Sequence, residues 1–307
     1  MTNTQIPGTG TFIPSSVRVV DYNSGNNNIL VRGSAAFGAT NVSTGAAFAI
    51  EDLINAIKAD PNFAGTGITL PTNPSVNPPF IIDICLVGFG SGDQTDQSIV
   101  QNELAWFAAS PPVIEGTTPP SPPYPVIINS TITNHPGIMV YWPILSIGAP
   151  LTNTQSWPTP AENASIPQSI EPGYYNYDGL IPAIRFALFN DLNQSTPFSN
   201  AISLLHNAII YVHCDSGVNR TGAAITGYLM QYGTNVTAMQ PAASLNLAAP
   251  YTLSVAQQMA YSAPPTGNVP PGGADIGVTQ AFCQLKNTGS ISGTLDPNCV
   301  PYTYPAS

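Results

Sequence analysis

The sequence predicts an α/β protein with a central mixed sheet and helices on both faces of that sheet. Short β-branched apolar runs, such as 80–87 and 208–212, alternate along the chain with longer stretches of helical periodicity. Apolar residues make up 43% of the 307 residues, which is enough for a substantial core. The chain is longer than a usual single domain but shows no internal repeat, so we expect one elaborated domain over residues 1–307.

The predicted elements follow one another in a regular order. The first half of the chain is expected to contain strands 17–22 and 28–32, helix 43–58, strand 80–87, helix 97–109 and strands 126–131 and 137–145. The second half is expected to contain helices 180–191 and 198–205, strand 208–212, a helix after segment 213–222, and closing helices that include 254–261.

Stretches rich in proline, glycine, asparagine and threonine separate these elements. We expect them to be polar loop insertions at the surface, at 65–79, 111–125, 150–172 and 263–273. On this interpretation the core of the domain spans about 17–262. Residues 263–307 then form a C-terminal extension.

The most informative segment has the sequence HCDSGVNRTG, from His213 to Gly222, between a predicted strand and a predicted helix. Amide N–H groups at the start of a helix have no partner within the helix, and together with the helix dipole they bind anions. The same field favours the thiolate form of Cys214. Arg220 follows six residues later, and its planar guanidinium can bind two phosphoryl oxygens at once. The pattern therefore predicts a phosphate-binding loop.

This decapeptide resembles the signature loop of the cysteine-dependent phosphatases, the protein tyrosine and dual-specificity superfamily, which runs H-C-x-x-G-x-x-R-[S/T]. Every fixed position is matched. The resemblance implies a phosphatase-like α/β fold and hydrolysis of phosphate monoesters through a cysteinyl-phosphate intermediate, without a metal or a cofactor. Segment 217–222 is also similar to the G-x-N-R-T-G sequence of the RNA 5′-triphosphatase branch of the superfamily.

The resemblance implies a role for each position of the loop. Cys214 is the nucleophile, and Arg220 binds the phosphoryl group and stabilises the transition state. Thr221 donates a hydrogen bond to the sulfur, which helps the sulfur leave the intermediate. His213 bonds to nearby backbone and sets the shape of the loop. The residues expected to bind the substrate phosphate, together with Arg220, are Asp215, Ser216, Gly217, Val218 and Asn219.

Most members of this superfamily also use an aspartic acid, some thirty to forty residues before the cysteine, to protonate the leaving oxygen. Asp178 lies within that interval, but Asn-Tyr-Asp stands where the family has Trp-Pro-Asp. The alternative role for Asp178 is the N-cap of the following helix. Asp191 is the second candidate. Trp142-Pro143 lies further back in the sequence and has no aspartate after it.

Gln257 resembles the later glutamine that positions water in the tyrosine-specific branch. It falls in the predicted helix 254–261, where the alternative is a glutamine on an exposed helix face.

The charge of the chain limits its partners. Six Lys and Arg residues stand against sixteen Asp and Glu residues, which gives a net charge of −10. Because affinity for nucleic acid rises with each phosphate that Lys or Arg neutralises, nucleic acids and anionic membranes are not expected as main partners. We expect a phosphorylated protein or a small phosphomonoester as substrate. Phosphotyrosine is favoured because aromatic faces of Tyr174, Tyr175 and Tyr177 can line the approach to the loop.

Composition also suggests where such a protein works. Residues 1–16 contain no basic start and no apolar run long enough for a signal peptide or a membrane span. Charged residues make up only 7% of the chain, which also has 32 prolines, and this composition is typical of exported proteins or of subunits in an assembly such as a virus particle. The alternative function is therefore a structural or scaffold protein that keeps the phosphatase fold with little or no activity. The compartment and the oligomeric state stay open.

The four cysteines do not form a disulfide framework. Cys85 lies in the apolar run 80–87 and is predicted to be a core residue. Cys283 and Cys299 enclose a short, turn-rich segment and would form a disulfide in an oxidising compartment. The sequence leaves open whether they do.

Overall fold

A six-stranded mixed sheet forms the centre of the molecule in the computed structural model. The structure describes residues 12–36, 48–74, 76–87, 94–107, 125–130, 136–143, 177–190, 205–239, 251–263, 267–268, 273–289 and 294–302. Within these ranges the strands of the central sheet are β1 (Arg18–Asn23), β2 (Asn28–Gly33), β3 (Phe80–Cys85), β4 (Val126–Asn129), β5 (Gly137–Tyr141) and β6 (Ala208–His213).

The spatial order of the strands places β6 in the middle of the sheet. The order is β1-β2-β6-β3-β5-β4. Strands β2, β6, β3 and β5 run parallel to one another, whereas β1 and β4 are antiparallel edge strands. Because parallel strands end at the same edge, the segment after β6 leaves the sheet between the carboxyl ends of β2 and β3.

The described helices are α1 (Ile50–Ala59), α2 (Gln94–Phe107), α3 (Tyr177–Phe189), α4 (Asn219–Tyr232), α5 (Leu253–Tyr261) and α6 (Gly273–Thr288). A short hairpin of β7 (Ser262–Ala263) and β8 (Gly267–Asn268) lies between α5 and α6. No helix among the described residues has the length and apolar character needed to cross a membrane.

Helices cover both faces of the sheet. On one face, Ile54 of α1 belongs to the same buried cluster as Val31 and Ile209 of the neighbouring strands β2 and β6. On the other face, Val212 of β6 is buried with Ile184 of α3 and Ile225 of α4. Neighbouring positions along each strand therefore face opposite layers, as a buried sheet requires. The α/β class predicted from the sequence is confirmed.

The C-terminal part of the chain packs onto this body. Lys286 Nζ in α6 donates a hydrogen bond to the carbonyl oxygen of Met230 in α4, at 3.2 Å. Cys283 and Cys299 form a disulfide with a Cα–Cα distance of 5.6 Å, which answers the question that the sequence left open. Closing a loop of this length contributes about 3 kcal/mol to stability.

Most element boundaries agree with the sequence to within a few residues, with two informative differences. The helix predicted from residue 43 begins at Ile50, because the amide of Ala49 instead bonds to the carbonyl oxygen of Ala36, at 2.7 Å. Residues 43–47 lie outside the described part. The predicted helix 198–205 also lies outside it, except for Leu205, which is not helical.

Candidate functional site

The chain turns sharply after β6. Cys214 follows the strand directly, and α4 begins five residues later at Asn219. Gly217 lies between them with φ +74°, in the left-handed region that favours glycine. A Cβ at this position would lie 2.3 Å from the carbonyl carbon of Gly33. Glycine is therefore required here both by the backbone conformation and by the close approach of β2.

Two hydrogen bonds attach this loop to the end of β2. The amide of Ala35 donates to the carbonyl oxygen of Asp215 at 2.9 Å, and Arg32 Nη1 donates to the carbonyl oxygen of Gly217 at 3.0 Å. In a planar trans peptide the N–H points away from the preceding carbonyl. The amides of Ser216 and Val218 therefore point away from β2. Neither amide has an acceptor within the described part of the chain.

The N-cap residue of α4 does not close the start of the helix with its side chain. Val218 is the N-cap residue and provides no side-chain hydrogen bond. The N–H groups of the first helical turn have no intrahelical acceptor, and they carry the positive end of the helix dipole. The loop thus presents backbone donors and a partial positive charge to a single region, which is the arrangement expected of an anion site.

Cys214 and Arg220 are both buried at this turn. Cys214 is a free thiol with 1% of its surface exposed, and Arg220, the second residue of α4, is 9% exposed. Burial opposes the charged form of the guanidinium, but the charges of Cys214 and Asp96 outweigh burial and raise the pKa of Arg220. The structure therefore brings the predicted thiol and the predicted guanidinium into one electrostatic environment.

Asp96 is a site residue that the sequence did not indicate. It is the third residue of α2 and is 6% exposed. Arg220 Nη1 donates to Asp96 Oδ2 at 3.0 Å, and Arg220 Nη2 donates to Asp96 Oδ1 at 3.2 Å. This two-point bond fixes the plane of the guanidinium. It leaves the Nε–H and a second N–H on each Nη for another anion.

His213 connects the loop to a buried group of polar residues. Its Nδ1 lies 3.2 Å from the carbonyl oxygen of Cys214, which is a backbone contact of the kind expected for this residue. Its Nε2 lies 3.1 Å from Asp83 Oδ1 and 3.1 Å from Glu103 Oε1. All three side chains are completely buried. Neither acid is among the site residues predicted from the sequence.

Burial changes the protonation of this group. It raises the pKa of Glu103 to about 7, although the charge of His213 acts in the opposite direction. Burial lowers the pKa of His213, but the charges of Glu103 and Asp83 prevail and leave it well above its ordinary value. The sequence could have indicated a buried polar site here, because Asp83 is a charged residue in the middle of an otherwise apolar strand.

Thr221 and Gln257 differ from their expected roles. Thr221 Oγ1 is buried and has no hydrogen-bond partner among the described residues, so the expected bond to the Cys214 sulfur is not formed in this structure. Gln257 is completely buried. Its Nε2 donates to Thr279 Oγ1 at 3.0 Å, and its Oε1 accepts from the amide of Tyr302 at 2.8 Å. Its amide therefore holds the C-terminal segment in place, and its burial corrects the exposed alternative. The water-positioning role stays a prediction.

For Asp178, the expected general acid, the structure describes the backbone but not the side chain. Asp178 is the second residue of α3, so it lies inside the helix and is not its N-cap. Its side chain lies outside the described part of the molecule, as do Asp191, Tyr174 and Tyr175 and the side chain of Tyr177. The expectation that Asp178 is the acid stays a prediction.

Trp142-Pro143 is closer to the loop than its place in the sequence suggests. The amide of Trp142 donates to the carbonyl oxygen of Cys85 at 2.9 Å, directly after β5. Since β5 neighbours β3, and β3 neighbours β6, Trp142 lies at the same edge of the sheet as Cys214. Distance along the chain was therefore a poor guide to distance in space.

No protein-family model, curated protein or solved structure matches this chain. The side chains and the backbone of the site are therefore the basis on which a function can be proposed.

Proposed function

We propose that this protein is a cysteine-dependent phosphatase that hydrolyses phosphate monoesters through a cysteinyl-phosphate intermediate. The observation that carries the proposal is the placement of Cys214 and Arg220. They stand at the two ends of a tight loop between the central strand β6 and α4, and both are buried. The parallel strand, the loop and the helix in this order also support a phosphatase-like form of the α/β fold.

The first step transfers the phosphoryl group to sulfur. The Cys214 thiolate attacks phosphorus, an S–P bond forms, and the bond between phosphorus and the ester oxygen breaks. The electron pair of that bond leaves on the ester oxygen, which takes a proton from a carboxylic acid. Arg220 binds two equatorial oxygens, and the amides of Ser216 and Val218 bind the group from the loop. Asp96 acts through Arg220 as a positioning residue.

The second step regenerates the enzyme. Water attacks phosphorus and gives a proton to the carboxylate formed in the first step, the S–P bond breaks, and inorganic phosphate leaves. The electron pair of the broken bond returns to sulfur, so Cys214 is again a thiolate. Thr221 can assist at this point, because its buried hydroxyl is a donor without a partner within the described residues.

We assign the role of the acid to Asp178. The chain from the end of β5 to Asp178 contains only three acidic residues, Glu162, Glu171 and Asp178. Asp178→Ala is expected to lower kcat for an aryl phosphate about 100-fold or more, with little change in the inhibition constant of vanadate, because proton donation affects the reaction and not anion binding. Glu162→Ala and Glu171→Ala are the matched controls. If either control loses kcat and Asp178→Ala does not, the acid has been misassigned.

The substrate is proposed to be a monoester on a largely neutral carrier, with phosphotyrosine first. The net charge of −10, together with Asp215 inside the loop, repels highly charged molecules such as RNA ends. Comparing kcat/KM for a phosphotyrosine peptide with that for a triphosphate-ended RNA tests this choice. Preference for the RNA would contradict it.

Turnover of p-nitrophenyl phosphate is the test of the proposed function. The wild-type protein should hydrolyse this ester and be inhibited by vanadate, and Cys214→Ser should lose at least about 1,000-fold in kcat because serine is a far weaker nucleophile. Circular dichroism checks that the variant is folded. Equal turnover by both proteins would contradict the proposal.

A scaffold protein is the second candidate, and the burial of Cys214 favours it. With 1% of its surface exposed, Cys214 is accessible to a substrate only if the neighbouring chain leaves a path to the sulfur. Alkylation of the native protein by iodoacetate, followed by peptide mass spectrometry, measures that access. Modification of Cys214 that phosphate suppresses supports the phosphatase, whereas no modification and no turnover support the scaffold.

A further inference from the structure

Next to the loop lies a buried cluster of four residues that the proposed reaction does not use. Asp83 and Cys85 are two residues apart on β3, so their side chains share one face of the sheet. Cys85 is the register partner of His213 on β6. Glu103 completes the cluster from α2. None of these four residues has any exposed surface. We call Asp83, Cys85, Glu103 and His213 the His213 cluster.

The polar atoms of the His213 cluster converge on one buried region. One ligand atom each of Cys85, Glu103 and His213 lies within 4.8 Å of the other two. The oxygens Asp83 Oδ1 and Glu103 Oε1 are each 3.1 Å from His213 Nε2. Even so, within the described structure neither carboxylate nor Nε2 has a partner with hydrogen-bond geometry. This is the arrangement expected when the atoms face a common centre.

The contact made by Nδ1 of His213 shows that Nε2 is the nitrogen able to bind a metal. A carbonyl oxygen can only accept, so the contact of Nδ1 with the carbonyl of Cys214 places a hydrogen on Nδ1. In the neutral ring Nε2 then carries the lone pair, and this lone pair is on the side of the two acids. A histidine that binds a metal commonly donates its other N–H to a backbone carbonyl in this way.

The charges of the cluster also favour a cation. Two carboxylates and a thiol surround a single imidazole, and a proton on that ring offsets only one negative charge. The second negative charge is then left uncompensated unless a further proton or a cation binds, and an uncompensated charge is costly in an interior of low polarity. A divalent cation would offset both carboxylates at once.

We propose that Asp83, Cys85, Glu103 and His213 bind one divalent cation of the zinc type. Thiolate, imidazole and carboxylate are the ligands of Zn²⁺, with bonds of about 2.0 to 2.3 Å, so ligand atoms around it lie about 3 to 4 Å apart. The ligand atoms of Cys85, Glu103 and His213 lie within 4.8 Å of one another and would move closer together around the ion. Asp83, which is 3.1 Å from His213 Nε2, is the fourth ligand that we propose for a closed, structural site. The metal supports the phosphate-binding loop through His213 and its contact with Cys214.

Zinc content is the first test. The full-length chain is refolded with Zn²⁺, freed of loose metal by gel filtration, and analysed by atomic absorption. Wild type should retain one zinc ion per chain. Cys85→Ser and Glu103→Gln should lower zinc affinity, measured against a chromophoric chelator, by at least about 10- to 100-fold. The matched control for the thiol is Cys214→Ser, which removes the other free cysteine and should keep the metal.

The nature of the ligands is the second test, and it needs no variant to fold. X-ray absorption of the zinc-loaded wild-type protein should show one sulfur and otherwise nitrogen and oxygen ligands. Wild type that stays free of zinc after refolding with it would overturn the proposal. So would zinc without a sulfur ligand, or zinc that Cys214→Ser loses and Cys85→Ser keeps. Neither test measures turnover, so the metal site and the phosphatase can fail independently.

Discussion

The two ends of β6 differ in the hydrogen bonding of their buried polar groups. At the amino end, Asn28 is completely buried, and both its amide oxygen and its amide nitrogen form hydrogen bonds. Its Oδ1 accepts from the amide of Ala208 at 3.0 Å, and its Nδ2 lies 3.2 Å from the carbonyl oxygen of Leu205 and 3.3 Å from that of Ala187. One asparagine thus joins β2, β6 and α3, and the role of this end is structural.

At the carboxyl end, several buried polar atoms have no partner with hydrogen-bond geometry within the described structure, although two acids there lie 3.1 Å from His213 Nε2. They include both carboxylates of the His213 cluster, His213 Nε2 and Thr221 Oγ1. A buried polar group without a partner costs about 1 to 3 kcal/mol. Among the described residues, the buried amide of Asn28 has its hydrogen bonds at one end of β6, whereas several buried polar atoms at the other end lack them, as expected if ligands bind at that end. We infer an anion in the loop and a cation in the cluster.

The amino end should show the larger loss of stability. Asn28→Ala leaves one amide and two carbonyl groups buried without this partner, so we expect the free energy of unfolding to fall by about 3 kcal/mol. Urea denaturation measures it, and the exposed Asn77→Ala is the control. The turnover of the folded variant should be unchanged. If Asn28→Ala lowers the free energy of unfolding no more than Asn77→Ala does, the structural role assigned to this end is wrong.

The carboxyl end should show the reverse pattern, a loss of function with little loss of stability. Asp96→Asn removes the charge that orients Arg220, so kcat/KM for an aryl phosphate should fall about 10- to 100-fold, and vanadate should bind more weakly. Asp52→Asn is a matched control, because Asp52 is the third residue of α1 and is exposed. If Asp96→Asn lowers the free energy of unfolding but leaves kcat/KM and vanadate binding unchanged, Asp96 has only a structural role.

The smallest expected effect is the change in stability of Thr221→Val, and its sign should be opposite to that of Asn28→Ala. Thr221→Val replaces a buried hydroxyl that has no described partner by a methyl group of similar size. We expect stability to stay equal or to rise by about 1 kcal/mol, because no hydrogen bond is lost and a desolvated polar group is removed. Thermal unfolding measures this change. A loss of stability as large as that of Asn28→Ala would show that the hydroxyl has a partner and would weaken the comparison.

The sequence predicted the elements that depend on local pattern. Apolar runs indicated β2, β3 and β6, and the spacing of Cys214 and Arg220 indicated the loop between β6 and α4. The glycine needed at position 217 was also visible, because its backbone requirement is local.

Contacts between distant segments could not be predicted in this way. Asp96 is 124 residues before Arg220, and an acid in the first turn of a helix is ordinary in sequence. Gln257 is predicted as an exposed or a water-positioning glutamine, whereas its bond to the amide of Tyr302 joins residues 45 positions apart. Trp142-Pro143 is far from Cys214 in the sequence and has no aspartate after it, whereas the parallel order of the strands places Trp142 and Cys214 at the same edge of the sheet.

Trapping the covalent intermediate tests the central claim most directly. The wild-type protein is mixed with an aryl phosphate, denatured with detergent within milliseconds, digested and analysed by mass spectrometry. We predict a phosphoryl group on the peptide that contains Cys214, and none on the same peptide of Cys214→Ser. Hydrolysis of the ester with no phosphoryl group on Cys214, or with one on another residue, would contradict the account.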